Sequence, residues 1–523
     1  MQQPAPRHDQ IRRLLDALNQ DLFEKETVVG LALLSAIAGE SIFLLGPPGV
    51  AKSMVARRLK FAFEDAKAFE YLMGKFSTPD EVFGPVSIKK LKDEDRYERL
   101  VEHYLPGAQI VFLDEIWKAS PPIQNALLTV LNEKLYRNGA QEIEVDLRGL
   151  IAASNELPLA GEGLEALWDR FLIRLIVDGI SEEEQFNAMI TLSGGNAQAD
   201  PVAPSLKITE ETYRAWSEGL DYTFIPPHIL GVIGGLRKRI TAYNTDAEDE
   251  DFMYVSDRRW RKIIRLLRSS AFMHDRQEVD ISDCFLIQHC LWDKPEQLPV
   301  IRNMLLETFE KEGYHGIVSL KAVDQELGRI TEEIEQTVKS VSVEEKVQAK
   351  PFTDSQGNVY VQLVDFWKDG AVYLRTDDLK RLKSDTNTLV PVLEKTGNQY
   401  RTFQTYALRK IDNTHIANKE KTISLLTETV SEEIVMEQMP EPEAVARWSR
   451  ELEALEKRCE RDLQVLEGRR ERDIASARGH LFVPHAEAAF IGKSIDQALK
   501  DITQAQLEIA RARHRYESAK PNG

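Results

Sequence analysis

Apolar residues in the N-terminal part of the chain follow two different patterns. Short and nearly continuous apolar runs, typical of strands buried on both faces, predict strands at Ser41–Leu45, Ala68–Leu72, 110–113, Gly149–Ser154 and 171–177. Between these runs, apolar positions recur every three or four residues. This period predicts two helices within residues 9–40, one beginning near Lys52 and one at 123–133. Strands that alternate with helices predict a largely parallel sheet covered by helices on both faces.

The pattern changes several times after the predicted sheet begins. A hairpin is predicted at residues 136–150, where Asn138 and Gly139 form a favoured two-residue turn. A polar loop near 193–203 ends the α/β region, and strand-like alternation with turn residues returns much later. We predict four parts: an α/β core (1–200), a helical subdomain (201–310), a discontinuous helical stalk (311–352 and 431–523) and an inserted small β-rich module (353–430).

Composition and charge narrow the class of protein. The chain of 523 residues carries 67 basic and 85 acidic residues, which gives a formal net charge of -18. An excess of carboxylates repels phosphate backbones, so nucleic acid is not expected as the main partner. No apolar run reaches the roughly 18 residues of a membrane helix. The N-terminus has no secretory pattern, and the three cysteines do not make a disulfide framework. We therefore expect a cytoplasmic protein without a membrane span.

A turn rich in glycine and proline follows the first predicted strand and opens a helix, which is the context of a phosphate-binding loop. This phosphate loop consists of Gly46, Pro47, Pro48, Gly49, Val50, Ala51, Lys52 and Ser53. Its N–H groups are expected to bind phosphate, with Lys52 at the β- and γ-phosphates and Ser53 as a ligand of Mg²⁺. The usual pattern has Gly before Lys, so Ala51 carries a cost if this position needs a positive φ. An ordinary turn between strand and helix is the alternative.

Two carboxylates, Asp114 and Glu115, directly follow the apolar run at 110–113. Parallel sheets bind ligands at the carboxyl ends of their strands, where these side chains are expected to lie. We expect Asp114 to hold Mg²⁺ and Glu115 to polarise the attacking water as a general base. Together with the phosphate loop, this pair predicts a site that binds ATP or ADP with Mg²⁺ and hydrolyses ATP.

Several segments resemble one family, the MoxR branch of the AAA+ ATPases. They are the phosphate loop, with Ala directly before Lys, and residues 76–84, 114–118 and 153–158. The resemblance covers residues 10–310 well and the C-terminal third only in outline. It implies that the α/β core and the helical subdomain are an AAA+ module with its lid. It also implies a hexameric ring and ATP-driven, chaperone-like remodelling or assembly of protein complexes.

The resemblance assigns roles to residues outside the two motifs. Asn155 matches the sensor 1 position, where a neutral amide holds the attacking water or contacts the γ-phosphate. Arg170 matches the arginine finger, which acts in the neighbouring subunit's site, and Arg174 competes for that role.

Two further positions match with alternatives open. Arg258 matches sensor 2 at the start of a lid helix, although the adjacent Arg259 is not excluded. Phe23 lies where the N-terminal segment approaches the adenine in this family, and an ordinary core aromatic is the alternative.

The resemblance also suggests partners. In one subgroup of the family a helical stalk carries a β-rich module that docks on an inducible lysine decarboxylase under acid or nutrient stress, and a von Willebrand factor A-domain protein is a second associate. Residues 353–430 fit that architecture without a residue match, so this expectation is an analogy. Two other functions stay open for the same fold, a nucleic-acid-associated ring motor and a non-catalytic, nucleotide-gated scaffold.

Overall fold

The protein forms two compact units in the computed structural model, which describes residues 6–159, 161, 163–192, 199–247, 251–318, 320–437 and 439–518. The first unit, the ATPase unit, draws on Met1–Asp324 and Glu456–Leu507. The second, the barrel unit, draws on Gln325–Leu455 and Glu508–Gly523. Residues 193–198 of the loop predicted to end the α/β region lie outside the described residues. The predicted boundaries at residues 200 and 310 stay predictions.

The N-terminal part of the ATPase unit alternates strands and helices as predicted. Its elements are α1 (Arg7–Leu18), α2 (Glu26–Ala38), β1 (Ser41–Leu45), α3 (Lys52–Leu59), β2 (Ala68–Leu72), α4 (Pro79–Phe83), α5 (Ile88–Glu94), β3 (Ile110–Asp114), α6 (Pro121–Glu133), β4 (Leu135–Asn138), β5 (Gln141–Glu144), β6 (Gly149–Ser154), α7 (Glu165–Trp168), β7 (Phe171–Ile176) and α8 (Glu183–Thr191). The predicted α/β fold class is confirmed.

Five of these strands form one parallel sheet in the order β2-β3-β6-β1-β7. The inner strands β1, β3 and β6 are apolar and buried along nearly their whole length, because both faces of the sheet are covered. The prediction of a buried strand at Ala68–Leu72 is correct in type and wrong in burial. This strand is the sheet edge, and Leu72 is 65 % exposed.

The predicted hairpin is present but shorter than 136–150. Strands β4 and β5 pair from Leu135 with Glu144 to Asn138 with Gln141. The turn therefore consists of Gly139 and its neighbour Ala140, and Asn138 is the last paired residue. The Asn138 side chain instead bonds the backbone of Arg99 in both directions.

Helices follow the sheet in the ATPase unit, as predicted for a lid. They are α9 (Glu210–Gly219), α10 (Pro227–Asp246), α11 (Asp257–Met273), a 3-10 helix (Ile281–Cys290), α12 (Gln297–Thr308) and α13 (Tyr314–Val318). Helix α11 buries Ile263, Leu266 and Leu267, and its first turn is capped by Ser256. Cys284 and Cys290 in the 3-10 helix, and Cys459 further along, are buried free thiols, as expected.

The C-terminal part of the chain contains α14 (Leu320–Val338), β8 (Lys339–Ala349), β9 (Pro351–Thr353), β10 (Val359–Val364), β11 (Val372–Arg375), α15 (Thr376–Arg381), β12 (Thr388–Thr396), β13 (Gln399–Lys410), β14 (His415–Asn418), β15 (Lys421–Leu425), β16 (Thr427–Glu437), α16 (Pro442–Arg478) and α17 (Ala488–Glu517). No described helix combines the length and the apolar character needed to cross a bilayer.

Helical structure at the two junctions with the β-rich module was predicted wrongly. Strand β8 occupies residues assigned to a helical stalk, and it pairs along its whole length with β16 in an antiparallel ribbon. The β structure therefore runs from residue 339 to 437 rather than from 353 to 430. The predicted stripe on α16 is confirmed, because Trp448, Leu452 and Leu455 are all buried.

The β-rich module closes into a barrel. Its strands follow the order β11-β12-β13-β14-β15-β10-β9, and an additional pairing between β10 and β11 closes the ring. The barrel interior is apolar and is filled by residues such as Leu374, Val392, Leu408, Ile416 and Ile423. Closure removes most free strand edges, which is one way a small antiparallel sheet avoids edge-to-edge association.

Candidate nucleotide site

The phosphate loop connects the end of β1 to the start of α3 through two left-handed residues. Gly49 has φ +88° and Ala51 has φ +69°. The expected cost at Ala51 is therefore real, roughly 1–2 kcal/mol for a residue with a Cβ. At Gly46 no side chain fits, because a Cβ would lie 2.2 Å from the carbonyl oxygen of Val177. Left-handed residues of this kind occur in the anion-binding nests that successive backbone N–H groups form.

Lys52 is buried at the first position of α3. Its ammonium donates to the carbonyl oxygens of Gly46 at 2.6 Å and Pro47 at 2.9 Å. Burial lowers the pKa of Lys52, while the charges of Asp114 and Glu115 act in the opposite direction. The structure thus brings together three of the residues that the sequence predicted for one site.

Asp114 ends β3 and Glu115 follows it in a left-handed conformation with φ +53°. Burial raises the pKa of Asp114, opposed by the N–H of Glu115 and the charge of Lys52. The Glu115 carboxylate lies 3.2 Å from the Lys118 ammonium. That contact lacks hydrogen-bonding geometry, so the buried Oε2 of Glu115 has no hydrogen bond.

Asn155 directly follows β6, the strand between β3 and β1. The Ser154 carbonyl before it accepts a hydrogen bond from Gly46 at 3.1 Å, so Asn155 starts beside the phosphate loop. Its side chain is exposed. Asn155 therefore lies between the two carboxylates and the loop in strand order, and its assignment to sensor 1 stays a prediction.

Trp117 is a residue of this site to which the sequence assigned no role. Its indole N–H donates to the carbonyl oxygen of Glu156 at 3.0 Å. The bond ties the segment after Asp114 and Glu115 to the segment that carries Asn155. The ring packs against Phe43 and Trp168 at centroid distances of 5.2 and 5.8 Å. An indole two residues after a carboxylate pair is the only signal that the sequence offered.

Arg170 lies where the strands of the sheet begin, whereas Lys52 lies where they end. Arg170 directly precedes β7, whose first residue, Phe171, is paired with the first residue of β1. Its guanidinium pairs with Asp169 at 3.2 Å, and burial followed by the charge of Arg258 lowers its pKa. Arg170 therefore does not reach the phosphate loop of its own chain.

Arg174 does not serve as the arginine finger, because its guanidinium is buried and hydrogen-bonded to groups of its own chain. It donates to Asp293 at 2.5 Å and to the carbonyl oxygens of Trp168 and Trp292. It also lies 3.9 Å from the centre of the Trp168 ring. Burial lowers the pKa of Arg174 to about 9.

Arg258 and Arg259 differ in burial and in how many hydrogen bonds their guanidinium groups make within their own chain. Arg259 is buried and donates to carbonyl oxygens of Asp169, Phe171 and Cys290, so it joins α11 to the sheet. Arg258 is exposed, with one long contact of 3.4 Å to Asn132 at the end of α6. Of the two sensor 2 candidates, Arg258 alone is accessible, and it stands beside Arg170 rather than beside Lys52.

A cavity of ≈ 450 Å³ adjoins the phosphate loop. It is lined by the segment before α2, by the chain after β7 and by the lid, including Glu24, Val28, Val177, Gly179, His289 and Trp292. Val177 fixes it next to the loop, because its N–H donates to the Leu45 carbonyl at 2.7 Å. Phe23, predicted to approach the adenine, does not line this cavity, whereas its neighbours Glu24 and Lys25 do.

The residues present fit a nucleotide with a divalent cation. The loop offers N–H groups and an ammonium for phosphates. Asp114 supplies a carboxylate, and Ser53 supplies a hydroxyl to which the described residues make no hydrogen bond. The buried Oε2 of Glu115 is paired with the Lys118 ammonium at 3.2 Å but makes no hydrogen bond, so it can accept one from a water molecule. Oxygen ligands of this kind suit Mg²⁺.

Comparisons with known proteins agree with this geometry. Residues 9–216 match a family described as the MoxR domain in the MoxR-vWA-beta-propeller ternary systems, and residues 228–305 match an AAA lid domain. One relative, an uncharacterized protein of Methanocaldococcus jannaschii, is 35% identical over 301 residues, which are 58% of this chain and 75% of that protein.

A second uncharacterized protein of the same organism is 35% identical over 288 residues, 55% of this chain and 72% of that protein. A solved structure from Cytophaga hutchinsonii, provisionally described as an ATPase, has a TM-score of 0.47 at 18% identity and covers 57% of this chain and 94% of its own. That last similarity is too weak to support an argument.

Proposed function

The chain belongs to the MoxR-type AAA+ ATPases, and from that premise we propose that it hydrolyses ATP to ADP and phosphate in a hexameric ring. We propose further that it uses this cycle to remodel or help assemble protein complexes, in the manner of a chaperone. The observation that carries the proposal is the meeting of Lys52, Asp114 and Glu115 beside the phosphate loop at the carboxyl edge of the sheet.

In this proposal the loop and Lys52 bind the phosphates of ATP. Lys52 exchanges its present contacts with the Gly46 and Pro47 carbonyls for the β- and γ-phosphate oxygens, which are stronger acceptors. Ser53 and Asp114 hold Mg²⁺, which supplies neutralisation of the charge on the β- and γ-phosphates. Each of these groups is fixed by β1, β3 or α3, so little reorganisation is needed at the reacting phosphate.

Glu115 orients and polarises the attacking water. Its backbone leaves the strand conformation with φ +53°, and its buried Oε2, which lies 3.2 Å from the Lys118 ammonium without a hydrogen bond, can accept one from this water. Asn155, from the neighbouring strand end, holds the same water or the γ-phosphate through its amide. The charge of Lys52 strengthens both interactions.

Arg170 and Arg258 complete the site of the next subunit. Both lie near the amino ends of the strands, away from Lys52 of their own chain, and this position supports action in trans. An arginine finger that reaches into a neighbouring site stabilises charge in the transition state and raises the rate of hydrolysis by a factor of about 10³–10⁵. A heterologous contact repeated around a closed ring would place one such pair at every nucleotide.

Glu115→Gln tests the mechanism, because it keeps the size and polarity of the side chain but removes its basicity. We expect turnover to fall by about 100-fold or more while ATP binding, measured by calorimetry, persists. Glu133→Gln, an exposed carboxylate at the end of α6, serves as the matched control. Unchanged turnover in Glu115→Gln would contradict the assigned general base.

A mixing experiment tests the action in trans. Arg170→Ala and Glu115→Gln are each expected to be inactive as pure rings. Mixed rings contain sites with an intact Glu115 from one variant and an intact Arg170 from the other, so activity should reappear on mixing. Failure of every mixture, while ring formation is verified by analytical ultracentrifugation, would contradict the shared site.

The proposal extends to protein partners. The matched family description names MoxR-vWA systems, which supports a von Willebrand factor A-domain protein as an associate. The finer resemblance to the regulatory ATPase variant RavA, the docking of an inducible lysine decarboxylase on the β-rich module and the cytoplasmic location stay predictions. Both candidate partners are tested by measuring whether a purified von Willebrand factor A-domain protein and a purified inducible lysine decarboxylase bind the full chain with and without ATP. Salt-sensitive stimulation of ATP turnover by DNA would favour the nucleic-acid motor instead.

A further inference from the structure

Several partly buried polar side chains in the walls of the cavity beside the phosphate loop are already hydrogen-bonded to other parts of the wall. The carboxylate of Glu24 accepts bonds from the N–H groups of Ser181 and Glu182 and from the Ser181 hydroxyl. The indole N–H of Trp292 donates to the Arg174 carbonyl oxygen at 3.0 Å. These groups hold the walls together and are not available to a ligand.

His289 is the exception among the partly buried polar side chains that line this cavity. The described residues make no hydrogen bond to its imidazole. Burial, with the nearby charge of Arg302, lowers the pKa of His289 to about 4. The ring is therefore neutral at physiological pH, with one nitrogen that donates and one that accepts a hydrogen bond.

We propose that His289 reads the 6-position of the nucleotide base and so selects adenine. The assignment rests on the proposed function, because it requires a nucleotide with its phosphates on residues 46–53. Val177 lies against both Gly46 and the cavity, so a base attached to those phosphates enters the space that His289 lines. Trp292 and Val28 supply apolar and aromatic surface for the ring.

Hydrogen-bond chemistry explains the selection. Adenine carries an amino donor at position 6 next to the acceptor N1, and a neutral imidazole nitrogen accepts a bond from that amino group. Hypoxanthine differs from adenine at this edge by an oxygen acceptor at position 6 and a donor at N1. To bond that oxygen the same imidazole nitrogen must carry the ring proton, so His289 has to change tautomer, and the preference for adenine is the difference in free energy between the two arrangements.

The experiment compares ATP with inosine triphosphate, which changes the base at position 6 and N1 and leaves the ribose and phosphates intact. In the full-length protein we expect KM for inosine triphosphate to exceed KM for ATP by roughly 10-fold, with similar kcat. In His289→Leu the two KM values should agree within about 2-fold, because KM for ATP rises. His289→Asn, which keeps a donor and an acceptor, should restore part of the preference.

His228→Leu is the matched control, because His228 is also partly buried with a pKa lowered to about 4 but lines a different cavity. It should keep the preference for ATP. Equal KM values for the two nucleotides in the unmodified protein, or an unchanged preference in His289→Leu, would overturn the assignment while leaving ATP hydrolysis intact. Absence of any turnover or binding of ATP in the unmodified protein would instead refute the proposed function.

Discussion

In the ATPase unit charged side chains are buried inside the protein, whereas the buried side chains described in the barrel unit are apolar or aromatic. Lys25, Lys52, Arg148, Arg174, Arg259 and Asp283 are each below one tenth exposed, and all belong to the ATPase unit. The barrel interior is built from residues such as Leu374 and Val392. Buried charge is costly unless it is paired, so a chain keeps it only where geometry must be fixed or chemistry performed.

The difference indicates where each unit can act. In the ATPase unit burial shifts the pKa values of Lys52 and Asp114, which lie beside the phosphate loop and at the end of β3, and this suits a site for a small ligand. The barrel unit has an ordinary apolar core, so any recognition must use its surface. Trp367 and Phe403 are 44 % and 38 % exposed there, with Lys368 stacked 3.5 Å from the centre of the Phe403 ring.

The largest expected effect breaks a buried network in the ATPase unit. Asp283 accepts two bonds from Arg276, at 2.7 and 2.8 Å, and one from Ser270 at 2.6 Å. Asp283→Ala removes the two hydrogen bonds of Arg276 to Asp283 and leaves only Asp280, at 3.8 Å, as its carboxylate partner, which should lower the free energy of unfolding by about 3 kcal/mol. Urea denaturation followed by circular dichroism measures the loss.

The matched substitution in the barrel unit is Glu451→Ala, which removes a half-buried partner of the exposed Arg329 at 2.9 Å. It should cost much less stability than Asp283→Ala, because water screens the pair. Similar costs for the two variants would show that the two units do not differ in the way described.

A smaller effect concerns pH. Burial, followed by the charges of His480 and Arg276, lowers the pKa of His274 to about 2. Its Nδ1 bonds the Ser270 carbonyl, and its Nε2 accepts from the Leu481 N–H at 3.0 Å. The folded state therefore favours the neutral ring, so this contribution is complete above pH ~6.5 and declines as the pH falls toward the folded pKa.

We expect the free energy of unfolding of the ATPase unit to fall by up to about 1.4 kcal/mol per pH unit below 6.5 for each such histidine. His274→Gln, which cannot be protonated, should reduce the slope by up to that amount. Denaturant titrations between pH 7 and 5 measure both slopes. An equal slope in parent and variant would show that His274 is not neutral when folded.

The smallest effect concerns Trp117. Trp117→Phe keeps the aromatic packing and removes the N–H bonded to Glu156. If this bond positions Asn155 against Glu115, kcat for ATP should fall by about 3- to 10-fold with little change in KM. Trp367→Phe, in the barrel unit, is the control and should leave kcat unchanged. A fall in thermal stability without a change in kcat would assign Trp117 a purely structural role.

Local patterns predicted most of the secondary structure and failed where pairing is distant. The strands of the parallel sheet are apolar because they are buried on both faces, and that signal is contained in each segment. Residues 339–349 mix charged residues with valines, and their strand conformation depends on pairing with residues 427–437. The exposure of Ala68–Leu72 likewise depends on its place at the edge of the sheet, which no local pattern records.

The residues of the phosphate site could be predicted from the sequence, because the loop, Lys52, Asp114 and Glu115 are short motifs attached to strand ends. The roles of the arginines could not be predicted in this way. Arg170, Arg174, Arg258 and Arg259 carry the same group, and two of them are spent on carbonyl oxygens or carboxylates supplied by distant segments. Only folding brings those acceptors together, so only the folded chain distinguishes an arginine that joins the lid to the sheet from one left to act on a neighbour.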